Sequence, residues 1–190
     1  MSSQALVEGA GAVGSSAVLP GSAARVEQHG LSPSSHVTLF LIGLVVVLVS
    51  LPGLRRFALR ENEIDAARML RVLWTEAETQ GVALHPGVLG ALFGPGTGLE
   101  NRSEDVELLD DGRLRRHGYL FDVIEAPRGE VFIGAWPWEH GHTGLGAFSI
   151  GAEQGLAGHE NPDGTFSGPA HPPSASELSD TRVWRRMSRL

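Results

Sequence analysis

The sequence predicts an α+β protein in which one long N-terminal helix, first membrane-spanning and then amphipathic, packs on a small antiparallel sheet of three to four strands. Two observations predict the helix: an uncharged apolar run at positions 37–54, and a stripe of apolar residues at three- and four-residue steps that follows it. Short runs of alternating apolar residues, separated by turns with Gly or Pro, predict the sheet after position 118. A chain of 190 residues is enough for one such domain.

Composition excludes several classes of function. The formal net charge is −7, which argues against a basic nucleic-acid-binding face, so no nucleic-acid partner is expected. The chain has no Cys, which removes thiol nucleophiles and cysteine-held metal centres. All 15 basic residues are Arg, so neither a Schiff-base lysine nor a phosphate-loop lysine is present. No cofactor, no identifiable small-molecule ligand and no enzymatic activity are expected.

The apolar run at 37–54 predicts a transmembrane helix. No residue between Glu27 and Arg55 carries a formal charge. The run would be about 27 Å long as a helix, against a bilayer core of about 30 Å. The alternative is a buried strand or core helix, but a segment apolar on all sides needs a larger protein around it. We therefore expect the lipid bilayer as a partner.

Residues 1–36 are rich in Gly, Ala and Ser and predict a flexible leader or tail. Arg25 is the only basic residue before the apolar run, and Ser50-Leu51-Pro52 is a poor signal-peptidase site. The apolar segment is therefore expected to be retained.

An amphipathic helix is predicted at residues 55–81, continuing into the head, with Gly81 as its C-terminal cap. If Pro52 only kinks the chain, one helix runs from about Val37 to Gln80. The expected apolar stripe consists of Phe57, Ile64, Ala67, Leu70, Trp74 and Ala77. The charged residues mostly off it, expected to form a solvated face, are Arg60, Glu63, Asp65, Arg68, Arg71, Glu76 and Glu78.

Residues 82–170 are predicted to form a small α+β head, and residues 171–190 a polar tail. A short helical turn is expected around Val88 to Phe93. Strands are predicted at positions 119–124, 131–133 and 148–150, with a possible fourth at 156–157. The last stretch, TRVWRRMSRL, suggests one or two basic amphipathic turns.

A membrane-spanning helix that continues as an amphipathic helix into a small head resembles type IV pilins and type II secretion pseudopilins. In that family a leader ends in Gly and a Pro falls near mature position 22. Counting back from Pro52 places the processing site between Gly30 and Leu31. Ser35 stands where the family has a glutamate that drives subunit assembly. The resemblance implies other pilin-like subunits as partners.

The head also resembles a module of uncharacterised bacterial envelope proteins, with Gly-Tyr-x-Phe, then Ala-x-Pro, then Gly-x-Thr-Gly and Phe. The matching positions are Gly118, Tyr119, Phe121, Ala135, Pro137, Gly141, Thr143, Gly144 and Phe148. The segment NPDGTFSGPAHPP at 161–173 resembles the loop that closes such heads. Both likenesses concern architecture rather than chemistry.

The best metal-like spacing is His140-Gly141-His142, because two His at i and i+2 of a strand face one side. Glu139 or His159 is the nearest candidate for a third ligand. Incidental histidines in a loop are the simpler interpretation, so His140 and His142 are weak metal candidates. A calcium site at residues 159–163 lacks the EF-hand spacing, which favours a turn at Pro162-Asp163-Gly164.

The apolar run, the family resemblance and the candidate residues above lead to three hypotheses for the function and to an expected orientation in the membrane. The first hypothesis is a single-pass, pilin-like structural or interaction subunit of the inner (cytoplasmic) membrane, in a type II secretion or type IV pilus-like system. The second is a membrane-anchored extracytoplasmic sensor or ligand-binding module that uses the turn at 136–142, where Trp136 and Trp138 offer a stacking surface. A metal-dependent envelope enzyme is the third. The positive-inside rule favours a cytoplasmic head, because Arg55, Arg56 and Arg60 follow the span, whereas the pilin resemblance implies an extracytoplasmic one, which is our expectation.

Overall fold

One helix dominates the first half of the chain. The computed structural model describes residues 33–127 and 129–187, and in it α1 spans Pro33–Gln80, with Pro52 inside the helix. Gly81 ends α1 as predicted, because it adopts a φ of 65° that favours glycine. The Val82 amide then donates to the Ala77 carbonyl at 3.0 Å, as in a Schellman cap.

The chain divides into two units, with the boundary between Gly43 and Leu44. The described part of the first unit is helix α1 alone, at positions 33–43. The second unit contains the remainder of α1 and every strand.

The head is built on a seven-stranded antiparallel sheet whose strands follow one another in chain order. The strands are β1 Glu107–Leu108, β2 Leu114–Arg116, β3 Tyr119–Glu125, β4 Val131–Pro137, β5 Ala147–Gly151, β6 Gly155–His159 and β7 Arg185–Arg186. The α+β class is confirmed, and so is the short helical turn, which is a 3-10 helix at Val88–Phe93. A second 3-10 helix spans Glu100–Asp105.

The predicted sheet of three to four strands was too small. The four longest strands, β3 to β6, coincide with the predicted ones, whereas β1, β2 and β7 were missed. These three strands have two or three residues each, too few to show an alternating pattern, and all lie towards the edges of the sheet. The C-terminal stretch contains β7 rather than the suggested amphipathic turns.

Helix α1 covers one face of the sheet. Its buried residues are Ala66, Ala67, Met69, Leu70, Leu73 and Ala77, which pack with the β3 side chains Tyr119, Phe121 and Val123. The stripe was therefore predicted correctly at Ala67, Leu70 and Ala77. The assignment of Phe57 to that stripe was wrong, because 64% of its surface is exposed.

The C-terminal segment covers the opposite face of the sheet. Leu120 of β3 and Trp136 of β4 pack there with Phe166, Leu178 and Trp184. A four-residue helix, α2, spans Ala175–Leu178 and begins with a capping box between Ser174 and Glu177. Residues 171–187, assigned from the sequence to a polar tail, thus contribute two large side chains to the core of the head.

Candidate functional site: the loop between β4 and β5 and the adjoining turns of α1

The loop between β4 and β5 is closed by hydrogen bonds among its own residues. We call residues 138–146 the β4–β5 loop. Gly141 adopts a φ of 77°, and its amide donates to the Gly144 carbonyl at 2.8 Å. The Thr143 hydroxyl accepts from the Glu139 amide at 3.0 Å and lies 3.1 Å from the Glu139 carbonyl, to which it donates. Local bonds therefore fix the loop on a turn that needs Gly at 141.

Three polar side chains of α1 hold this loop. Arg55 Nη2 donates to the Gly141 carbonyl at 2.8 Å, and Asn62 Nδ2 donates to the Thr143 carbonyl at 2.9 Å. Glu63 Oε1 accepts from the amides of Leu145 and Gly146, at 3.1 and 3.0 Å. Glu63 was expected on a solvated helix face, and this was wrong, because its carboxylate satisfies the backbone of the loop.

Tyr119 packs under the loop from the sheet side. Its hydroxyl donates to the Gly146 carbonyl at 3.0 Å, and its ring is fully buried. Burial, together with the nearby charge of Glu63, raises the pKa of Tyr119 above its ordinary value, so the hydroxyl stays protonated and donating.

Close packing explains why residues 118 and 144 are glycines. A Cβ on Gly144 would collide with the Tyr119 hydroxyl, and one on Gly118 would lie 2.5 Å from Thr143 Cβ. The Gly-Tyr and Gly-x-Thr-Gly elements therefore form one packed contact between β3, the β4–β5 loop and α1.

A second polar contact joins α1 to the sheet at the turn between β2 and β3. Asp65 Oδ2 lies 3.4 Å from Arg116 Nη1 and 3.0 Å from His117 Nδ1. Arg116 also points Nη1 at the sulfur of the buried Met69, at 3.3 Å. Asp65, like Glu63, was expected on the solvated face and instead pairs with the sheet.

His140 and His142 lie in a turn rather than a strand, so the same-side geometry of an i, i+2 pair does not apply. The His142 ring is 62% exposed and its Nε2 lies 3.6 Å from the Glu139 carboxylate. The His140 ring instead lies 3.4 Å from the Asn161 amide. Within residues 33–127 and 129–187, no group of three or more His, Asp or Glu side chains is placed to hold a metal ion.

The two tryptophans beside the loop do not form a shared surface. Trp136 is fully buried and its indole N–H donates to the Gly168 carbonyl at 2.8 Å. Trp138 is half-buried, with the Arg115 guanidinium 4.5 Å from its ring centre. The expected stacking surface is therefore limited to Trp138.

Asn161 links the β4–β5 loop to the C-terminal layer, a role that the sequence did not reveal. Its side-chain amide donates to the Leu145 carbonyl at 3.1 Å and the Phe166 carbonyl at 2.9 Å, and its oxygen accepts from the Phe166 amide at 3.0 Å. The residue is fully buried with a φ of 49°, a conformation that Asn adopts more readily than most residues. The predicted turn at 162–164 is present, closed by a bond from the Gly164 amide to the Asn161 carbonyl.

Two open depressions lie elsewhere on the head. A cavity of about 370 Å³ is lined by aromatic and acidic side chains, among them His159, Phe166, Glu177, Asp180 and Trp184. A wider groove of about 930 Å³ lies at the β3–β4 and β5–β6 turns, beside Trp74 and α2.

The apolar part of α1 is exposed in the part of the chain that the structure describes. An 18-residue window within residues 36–80 has a mean hydropathy of 2.6, and none of it is buried. This one helix of the described residues is long and apolar enough to cross a membrane. The expected processing residues Gly30 and Leu31 lie outside the described residues.

No protein-family model matches the chain, and no curated protein or solved structure matches it either.

Proposed function

We propose that this chain is a single-pass, membrane-anchored, pilin-like envelope protein whose head serves as a structural or interaction subunit and performs no catalysis. The observation that supports the anchor is the apolar window of α1, none of which is buried although its mean hydropathy is 2.6. Apolar surface left in water costs about 25 cal/mol per Å², so a lipid environment is the favourable one for this segment. Later turns of the same helix contribute side chains to the core of the head.

Carbonate extraction of membranes from cells that express the full chain tests the anchor. We expect the wild type to remain in the membrane fraction and the double variant Val46→Arg/Leu48→Arg to be released, because each Arg at the centre of a span costs about 2.5–3.5 kcal/mol on insertion scales. Leu108→Arg/Val183→Arg is the matched control, since both residues are exposed on the head. Release of the wild type by carbonate would refute the anchor.

We propose that the head faces the extracytoplasmic side of the inner membrane, as in pilins. The three arginines after the span argue for the opposite orientation under the positive-inside rule, so a direct measurement is required. The chain has no Cys, so Glu153→Cys, in the exposed β5–β6 turn, introduces a unique label site. Labelling by a membrane-impermeant maleimide in spheroplasts supports this orientation, whereas labelling only after lysis contradicts it.

The assembly role has its own test. We propose that other pilin-like subunits pack against the span, in a system of the type II secretion or type IV pilus kind. A single Cys at Val45 should give disulfide-linked dimers in membranes on mild oxidation, and Glu153→Cys should not. An N-terminus at Leu31 supports prepilin-type processing. An N-terminus at Met1 or Ser2, together with an absence of cross-links, would contradict the assembly role and indicate a signal anchor alone.

A ligand-binding head is the second candidate, and the cavity of about 370 Å³ favours it. The Trp184 indole nitrogen, in a side chain that lines this cavity, is buried and has no hydrogen-bond acceptor among the described residues. A thermal-shift panel of small molecules with acceptor groups tests this candidate on the detergent-solubilised chain. A stabilising compound whose effect disappears in Trp184→Phe supports it; no stabilisation across the panel counts against it.

A further inference from the structure

An arginine cluster follows the apolar segment at once. Arg55, Arg56 and Arg60 are exposed on the first turns of α1 after position 54, and none forms an ion pair with another residue of the described chain. We call these three residues the arginine cluster. The exposed side chains of Leu54 and Phe57 lie among them in sequence. Alternating cationic and apolar side chains of this kind suit the boundary between lipid tails and headgroups.

The carboxylates near the cluster follow it along α1, on the side away from the apolar segment. Glu63 is engaged with the loop amides, and Asp65 pairs with Arg116 and His117. Glu61 is the remaining carboxylate between positions 55 and 65. All three arginines precede the three carboxylates in sequence, so the positive charge is concentrated at the end nearest the apolar segment, on a chain whose net charge is −7.

The tip of the β4–β5 loop lies at the level of this cluster. Arg55 Nη2 donates to the Gly141 carbonyl at 2.8 Å, so the loop tip is one arginine side chain away from the first residue after the apolar segment. A headgroup layer is about 5–7 Å thick on each side of the bilayer core. If the core ends near Leu54, Gly141 and the exposed His142 fall in or against that layer.

We propose that the arginine cluster binds the phosphates of anionic phospholipids, and that the tip of the β4–β5 loop lies in the same headgroup layer. Guanidinium groups bind phosphate through paired N–H donors, and Arg55 has donors left after its one bond to Gly141. The head thereby contacts the lipid surface through residues 139–142 as well as through α1. The inference rests on the proposed membrane anchor.

Depth-dependent fluorescence quenching tests the position of the loop. The full chain, reconstituted in vesicles of phosphatidylcholine and phosphatidylglycerol, is labelled with an environment-sensitive dye at His142→Cys or at Glu153→Cys. The control lies at the opposite end of β5, about 17 Å away for a five-residue strand. We expect lipids spin-labelled at the headgroup to quench the dye at 142 several times more strongly than at 153. Equal quenching at the two positions would overturn the proposal.

Lipid selectivity tests the arginine cluster. The relative association of phosphatidylglycerol over phosphatidylcholine is measured by energy transfer to labelled lipids. Each arginine near the surface is expected to contribute about fivefold. Arg56→Gln/Arg60→Gln should therefore lose most of the preference, while Arg68→Gln/Arg71→Gln, with the same change of charge about 12 Å or more further along α1, should keep it. Equal loss in both variants, or no preference in the wild type, would refute phosphate binding by the cluster.

Flotation of the vesicles separates the two proposals. A chain that fails to float with the vesicles refutes the anchor itself. A chain that floats, but shows equal quenching at 142 and 153 and no anionic preference, leaves the anchor intact and refutes the headgroup contact alone.

Discussion

Replacement of Glu63 by Ala should loosen the β4–β5 loop from α1. The carboxylate accepts two backbone N–H groups, from Leu145 and Gly146, and no other side chain of the described residues bonds to those amides. Hydrogen bonds to a charged group contribute about 1.5–3 kcal/mol when partly buried. The Gly146 amide is buried and should show a value in this range, whereas the exposed Leu145 amide recovers much of its bond from water.

The expected loss for Glu63→Ala is therefore about 2–4 kcal/mol. A domain of this size loses about 2–4 °C of Tm for each kcal/mol, which gives a decrease of about 4–16 °C. Glu63→Gln should lose about half as much, because the amide oxygen still accepts but without charge. The measurement is thermal unfolding of the full chain in detergent, followed by near-ultraviolet circular dichroism of the buried Trp136 and Trp184.

Glu61→Ala is the matched control, since Glu61 lies two positions away and is exposed. It should leave Tm within about 1–2 °C of the wild type. Hydrogen exchange gives a local readout: the amides of Leu145 and Gly146 should exchange faster in Glu63→Ala while those of β3 and β4 keep their protection. A Glu63→Ala chain as stable as the Glu61→Ala chain would refute the docking role of the carboxylate.

Three further predictions concern the same head. Gly144→Ala should destabilise it by about 1–3 kcal/mol, because the added methyl meets the Tyr119 hydroxyl, whereas Gly53→Ala, at a helical position with open space, should be neutral or stabilising in the same thermal assay. In denaturant titrations, Leu70→Ala should lower the free energy of unfolding by about 2–5 kcal/mol and Phe57→Ala by less than about 0.5 kcal/mol, because Leu70 is buried and Phe57 is exposed. Equal losses would contradict this assignment of the buried face of α1. Burial raises the pKa of Asp122 in the folded protein, so the free energy of unfolding falls as pH rises from the unfolded pKa of 3.8 through the folded pKa. Asp122→Asn should therefore be more stable than the wild type above this pH range and equally stable below it. A gain in stability that persists at low pH would exclude ionisation of Asp122 as its cause.

The elements predicted from the sequence are those with a long enough local pattern. Strand β3 alternates between residues facing α1, such as Phe121, and residues facing the C-terminal layer, such as Leu120, over seven positions. The end of α1 was signalled by one glycine. Strand β7 has only two residues, Arg185 and Arg186, and its pairing with β6 depends on the path of the whole C-terminal segment, which no local pattern specifies.

The contacts of the β4–β5 loop with α1 could not be predicted from the sequence, for a related reason. The Gly-x-Thr-Gly pattern was visible, but Asn62, which donates to Thr143, and Glu63, which accepts from Gly146 just after the pattern, lie about 80 positions earlier in the chain. Charged and amide side chains on an amphipathic helix are usually solvated, so helical periodicity alone gives no reason to single out these two. The need for such a side chain is evident only once the sheet is in place, because the Gly146 amide is then buried and requires a hydrogen-bond acceptor.

The contacts between α1 and the sheet fix the angle between the head and the turns of α1 that pack on it. Apolar packing of α1 on the sheet is non-directional and by itself tolerates small rotations about the helix axis. The hydrogen bonds that Arg55 and Asn62 donate and that Glu63 accepts are directional, and they hold three successive parts of one loop. A rotation of α1 against the head therefore breaks all of them together. These three side chains precede the α1 positions that pack in the core with β3, which begin at Ala66, so they hold the part of the helix where it enters the head. A head held in this way keeps one orientation relative to the turns of α1 that bear Arg55, Asn62 and Glu63, and the structural role proposed above would use that fixed orientation.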